Sequence, residues 1–273
     1  MLSCQLMGGL GNQLFQIFAI ISYSIEFNHS YFFFNEENTI GCTHRSTYWN
    51  TLLNKVVLFN KEKNVNFHLI LKEDPEYTPK TILDFPINKN ILLYGYFQSY
   101  KYFHSHYNKI YELLEIEKKK QEVLFKCVYY NKSFLNSCCS IHFRIGDYLQ
   151  LQDYHNILTL DYYKNALLKV NVSFVLYFCE EKDKKRVKKI ISSLRLLFPS
   201  IIFYKIHSSL SDWEQLLIMS LCKDNIIANS TFSWWGAYFN SNKDKIVCYP
   251  KQWYGPKKNV STKDLFPTNW VVV

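Results

Sequence analysis

The sequence predicts an α/β protein of two Rossmann-like domains facing a cleft, and three observations carry that reading. Apolar runs of strand length alternate with stretches whose apolar residues recur every three or four positions, the pattern of parallel strands joined by crossover helices. Three motifs each sit where a strand-like run ends: Gly8-Gly9-Leu10-Gly11-Asn12-Gln13, His142-Phe143-Arg144-Ile145-Gly146-Asp147-Tyr148 and Asn229-Ser230-Thr231-Phe232-Ser233-Trp234-Trp235-Gly236. The 273 residues, 48% hydrophobic and 18% aromatic, suffice for two ordinary domains with cores of their own. Ligands of open α/β sheets bind outside the carboxyl ends of the strands, which makes the three motifs the places to look for a site.

In chain order, residues 2–7 form a short apolar run that stops at Gly8-Gly9. Leu14, Phe15, Phe18, Ile21 and Ile25 then recur at the spacing of an amphipathic helix, and residues 31–34 read as a second strand. Residues 37–90 carry little pattern. Residues 91–96 read as a strand, and residues 107–126 as a charged helix followed by the polar segment 131–136. The boundary is placed there, giving domains 1–130 and 131–273. The second half alternates regularly, with strands at 137–143, 172–178, 201–204, 225–228 and 245–249. Helices are expected at 161–169 and 184–197, the latter stopped by Pro199. Ser211 followed three residues later by Glu214 is a capping box that opens a helix running to Cys222.

Composition excludes several classes. Net charge is +9, yet the basic residues are scattered. The runs 118–120 and 182–189 read as solvated helix faces, so no nucleic-acid partner is expected. Eight cysteines without a C-x-x-C pair read as buried free thiols rather than a zinc site or a disulfide framework. The N-terminus lacks a basic leader and no apolar run is long enough to span a bilayer, so the expected location is cytoplasmic. Glu180-Glu181 is the nearest approach to a carboxylate cage, and neither a metal nor a cofactor is expected.

Each motif has chemistry suited to an anion. Gly9 and Gly11 let the backbone approach a ligand at a helix N-terminus, where N–H groups lack partners. The same loop also reads as half a dinucleotide fingerprint with Glu36 as its acid, though Leu14 stands at the third glycine position, or as a plain turn. His142 and Arg144, two apart on a strand, point to one face. Arg144 presents a permanently charged planar fork to phosphate oxygens, and Asp147 either orients it or accepts a proton. A surface Arg–Asp pair would use the same residues. Ser230, Thr231 and Ser233 place hydroxyls and amides at a helix start, as an anion cradle or simply as a cap.

Together with Phe18-Ala19, residues 95–103, residues 217–236 and the tail around Pro250 and Trp253, these motifs resemble the α-1,2-fucosyltransferase family over nearly the whole chain. The resemblance implies a GT-B-like fold, with a GDP-sugar on the C-terminal domain and a glycan acceptor on the N-terminal one. It implies transfer of L-fucose from GDP-β-L-fucose to a hydroxyl, expected to be O2 of a galactose-type residue, with inversion and no metal. It places Arg144 on the β-phosphate, His142 near the guanosine, and Asn229, Ser230, Thr231 and Ser233 around the phosphates. Gly9, Gly11, Asn12 and Gln13 complete the expected nucleotide site, and Glu214 is the candidate reader of guanine. Asp147 and Asp153 are the candidate general bases, and Tyr96, Gln98 and Tyr100 the candidate acceptor residues. The chain departs from the family pattern at Ile145, where a second Arg is usual. It departs again at Gln215, where Asp is frequent, and at Cys179-Glu180-Glu181 in place of Ser-Asp-Asp. These departures leave open a different nucleotide sugar or a non-catalytic nucleotide- or glycan-binding protein.

Overall fold

The computed structural model describes the chain except residues 40–44, 57–64, 128 and 259. The chain divides into two compact units, Met1–Lys119 with Ser261–Pro267, and Lys120–Val260 with Thr268–Val273. Each unit contains a parallel sheet.

In the first unit, β1 (Leu2–Cys4) runs through Gly8-Gly9 into α1 (Leu10–Glu26). The sequence suggested an amphipathic helix, but every residue from Leu10 to Ser24 is buried except Asn12. A helix apolar nearly all round is a core helix. Its rings pack on those of residues 102–107, Phe18 meeting Phe103 edge-on at 5.3 Å. β2 (Leu69–Lys72) and β3 (Ile91–Tyr94) complete the sheet in the order β1-β3-β2. Residues 31–34 are not the second strand. Tyr31 makes an isolated bridge to Leu2, while Phe32 and Phe33 are buried as aromatic filling. The second strand is β2, in the stretch that carried little pattern, because its side chains are only alternately half-buried and half its residues face solvent.

The charged helix expected over 107–126 is two, α2 (Tyr107–Leu113) and α3 (Ile116–Lys126), broken where Glu115 takes φ 51°. The division between units falls inside α3, between Lys119 and Lys120, rather than at residue 130. Lys119 and Lys120 are not a solvated face, since both are buried. Lys119 Nζ donates to Asn54 Oδ1 at 2.7 Å, and Lys120 Nζ donates to the Phe239 carbonyl at 2.6 Å.

The second unit opens with α4 (Lys132–Leu135), capped by the Asn131 side chain, and β4 (Cys138–His142), buried throughout. Then follow α5 (Leu160–Leu167), β5 (Phe174–Phe178), α6 (Lys184–Leu197), β6 (Ile202–Lys205), α7 (Asp212–Met219), β7 (Asp224–Ile226), α8 (Thr231–Tyr238), β8 (Val247–Tyr249) and β9 (Val271–Val272). The sheet order is β6-β5-β4-β7-β8-β9. From β4 the chain builds outward through β5 and β6, and from β7 it builds the other way through β8 and β9. The order therefore reverses between β4 and β7, and such a switch point opens a crevice at the strands' carboxyl ends. The second and third motifs leave from those two ends.

The seven described cysteines are all free and only Cys179 is not buried; Cys42 lies outside the described residues. Among the described residues, no helix is long and apolar enough to cross a membrane.

Candidate active site

In the first unit the glycine loop is held from within. Gly8 has φ +76°, the left-handed region that favours glycine, and a Cβ there would collide with the Asn12 amide. Gln16 receives the Met7 N–H at 3.0 Å and donates to the Met7 carbonyl at 2.9 Å, while Gln13 donates to the Gly8 and Ser46 carbonyls. Gln13 is fully buried, so it braces the loop and does not line it. The Asn12 and Gln13 amides both bond to the Gly9 carbonyl, and helix geometry leaves those of Leu10 and Gly11 as open donors. The space over the Gly9 α-carbon is clear.

Residues 95–100 join this loop through Gln98, whose Nε2 donates to Asn12 Oδ1 at 3.0 Å. Glu73, at the end of β2, shapes the segment by accepting the Tyr96 N–H at 2.7 Å. Its carboxyl is pushed up by burial and pulled back by the Phe97, Tyr96 and Gln98 amides. Gly95 has no room for a Cβ beside Glu73, and Phe97 has φ 53°. Tyr96 is exposed and Tyr100 meets His104 edge-on at 5.7 Å.

In the second unit, β4 and β5 pair with His142 opposite Phe178, so Arg144 and Glu180 leave the sheet side by side. Glu180 ion-pairs with Arg144 Nη1, while Asp147 takes Nη2 at 2.7 Å and Lys182 bonds Glu180 at 2.7 Å. Asp183 accepts the Gly146 N–H at 2.8 Å. Arg144 also lies 5.2 Å from the centre of the Tyr148 ring, and the Tyr148 hydroxyl donates to the Asn229 carbonyl at 3.0 Å. One tyrosine thus ties the second motif to the third, across the switch point. In the sequence Glu180 stands out as a poor metal ligand and as part of the departure from Ser-Asp-Asp, and it is the β4–β5 register that places it on Arg144.

His142 is buried, and its Nδ1 has no hydrogen-bond partner. Burial, with Arg144 adding to it, pushes the imidazole down to about 3, so it is neutral. Asn229 donates to the Asn156 and Trp253 carbonyls, at 2.8 and 3.1 Å, and its Oδ1 is likewise buried without a partner. Ser230 is the N-cap of α8 and its side chain makes no cap bond. The Thr231, Phe232 and Ser233 amides open the helix. The Ser233 hydroxyl is not part of the cradle: it is fully buried within reach of the Ala228 and Ser230 carbonyls, at 3.4 and 3.2 Å. Glu214 Oε2 is spent on the capping box, accepting the Ser211 N–H at 2.8 Å and hydroxyl at 2.7 Å. Asp153 is exposed and paired with Lys257 at 2.7 Å. Ile145, where a second Arg was the family habit, is core, packed with Phe143 and Tyr163.

The geometry gathers Arg144, Asp147, His142, Asn229 and Ser230 around one switch point. The model of glycosyl transferase family 11 matches residues 1–273. The chain belongs to that family. It is 26% identical to the O-antigen biosynthesis glycosyltransferase WbnK of Escherichia coli, over 97% of this chain and 98% of that protein. It is 24% identical to an α-1,2-colitosyltransferase of the same organism, over 98% and 97%. A variant of Arabidopsis thaliana FUT1, solved in complex with GDP, shares the fold with a TM-score of 0.52 at 10% identity, covering 91% of this chain and 70% of that one. The family 11 glycosyltransferase is thus an α/β protein built on parallel sheets, as the sequence predicted.

Proposed function

We propose that this glycosyltransferase moves L-fucose from GDP-β-L-fucose to a glycan hydroxyl, O2 of a galactose-type residue, with inversion and without a metal or a cofactor. The observation that supports this best is the Arg144 fork, oriented by Asp147 and Glu180 at the switch point, beside a neutral His142 with an unpartnered ring nitrogen. As the sugar–phosphate bond breaks, negative charge builds on the β-phosphate. Donors fixed there before reaction stabilise that charge more in the transition state than in the ground state. Arg144 and the first-turn amides of α8 supply them. His142 Nδ1 and Asn229 Oδ1 accept hydrogen bonds from the nucleoside. The acceptor hydroxyl attacks the anomeric carbon from the opposite face and gives its proton to Asp147 or Asp153. The acceptor lies on the first unit's Tyr96, Gln98 and Tyr100.

The relative named for colitose transfer favours one second reading, the same chemistry with that sugar. The deciding experiment measures GDP release from GDP-fucose and from GDP-linked colitose, with and without β-galactosides, in the presence of chelator. Acceptor-dependent release from GDP-fucose is expected. Release from the colitose donor alone would replace the sugar in this reading, and a requirement for added divalent cation would remove the metal-free mechanism.

A further inference from the structure

The charges around Arg144 cancel. Arg144 and Lys182 are matched by Asp147 and Glu180, and Asp183 adds a further carboxylate on the Gly146 amide. A nucleoside diphosphate carries more than one negative charge, and a site without surplus positive charge holds it poorly.

The ring of His155 stacks on that of Tyr148 with centroids 4.4 Å apart and planes 14° from parallel, so the imidazole lies against the same ring that Arg144 contacts. Residues 151–156 are laced to the segment after β8. The Gly255 N–H bonds the Tyr154 carbonyl, the Lys257 N–H bonds the Asp153 carbonyl, and Asn156 Nδ2 bonds the Tyr254 carbonyl. This lacing brings in Lys258, whose Nζ lies 4.1 Å over the Tyr254 ring and has no carboxylate partner among the described residues. Its ammonium is half-buried, and burial pulls its pKa down. Burial pushes His155 down as well, followed by Lys258, and the opposed fields of Asp147 and Arg144 reach the same ring. The His155 ring, stacked on the tyrosine that Arg144 contacts, belongs to the segment that the loop after β8 is laced to. The face of the Tyr254 ring holds the Lys258 ammonium by a cation–π contact, which positions the charge without neutralising it.

We infer that Lys258 is a second phosphate-binding cation of the donor site, reaching the diphosphate from the segment after β8 opposite Arg144. The inference rests on the donor-site reading above. The neighbouring Lys257 is engaged by Asp153, which leaves Lys258 as the positive charge that a bound diphosphate neutralises.

Calorimetric titration of GDP and of guanosine into the wild type, Lys258→Met, Lys258→Arg and Arg144→Ala tests it. Loss of one charge-assisted bond lowers GDP affinity in Lys258→Met about tenfold or more, with guanosine affinity unchanged and GDP affinity restored in Lys258→Arg. Equal loss of GDP and guanosine would mean that the substitution disturbs the fold, and Lys258→Gln, which retains a polar side chain, then decides by the same GDP-to-guanosine comparison. Unchanged GDP affinity in Lys258→Met alongside its loss in Arg144→Ala would overturn this assignment alone. A wild type that does not bind GDP would overturn the donor-site reading with it.

Discussion

His142 is held neutral because its ring is buried beside a guanidinium, and the cost of charging it falls on the folded state. Its pKa is about 3 when folded and about 6.5 when unfolded. The unfolded chain therefore binds more protons between those values, and stability, fully present above the unfolded value, is lost as pH falls toward the folded one. Between about pH 7.5 and about pH 4.5 this amounts to about 2–3 kcal/mol. Urea unfolding should show a flatter acid limb in His142→Gln than in the wild type. Arg144 carries the complementary expectation at the same scale. Arg144→Ala should lose about 10²–10³-fold in turnover, as removal of one preorganised donor does, with little change in melting temperature. Initial rates and a thermal melt check both. The sequence showed both residues because two functional side chains two apart on a strand share a face. It did not show that Ser233 points inward, since that depends on a rotamer, and it offered Glu214 both as the acid of a capping box and as a reader of guanine, of which the structure shows the cap.

α8 illustrates how an element is completed from a distance. Its Ser230 N-cap spends no side-chain bond on the helix, leaving the amino end open toward the switch point. Its carboxyl end is closed by two lysines. Lys120 donates to the Phe239 carbonyl, and Lys245 donates to the Asn240 carbonyl, where burial pulls its ammonium down to about 8. Cations suit the negative end of a helix dipole, and one from α3 does so here across a long sequence separation. That separation is why Lys120 read as a solvated residue in a charged run. Lys120→Met keeps the stem's packing and removes the charged bond, and should cost about 1.5–3 kcal/mol in urea unfolding. A loss within about 0.5 kcal/mol, the range of ordinary surface substitutions, would show that the buried ammonium contributes nothing. Five of the six strands of the larger sheet were legible as apolar runs, whereas the two-residue β9 is too short to make a pattern, and β2 was not legible because an edge strand with half its side chains in solvent has no apolar run.

At the scale of the whole molecule the thiols set the alkaline limit of stability. Cys4, Cys139 and Cys222 are pushed well up by burial, Cys138 and Cys248 to about 12, and Cys179 to about 11. Unfolded thiols lose their protons near pH 8.5, so above that the unfolded state holds fewer protons than the folded one. Stability is therefore fully present below the unfolded value and lost as pH rises toward the folded values. Each such thiol contributes up to about 1.4 kcal/mol per pH unit through that window. Lys245, pulled down to about 8, and Lys258, also pulled down by burial, work in the opposite direction, since a lowered ammonium adds stability as pH rises, but they are two groups against six. The net slope should be steeply negative between about pH 9 and about pH 10, several kcal/mol over the unit. Urea unfolding across that range tests it, paired with a thiol-reagent titration of the native protein. The reagent should reach Cys179 and leave Cys4, Cys138, Cys139, Cys222 and Cys248 unreacted until urea is added. A flat alkaline limb together with rapid labelling of those five would mean that the cores of the two units open far more readily than their burial implies.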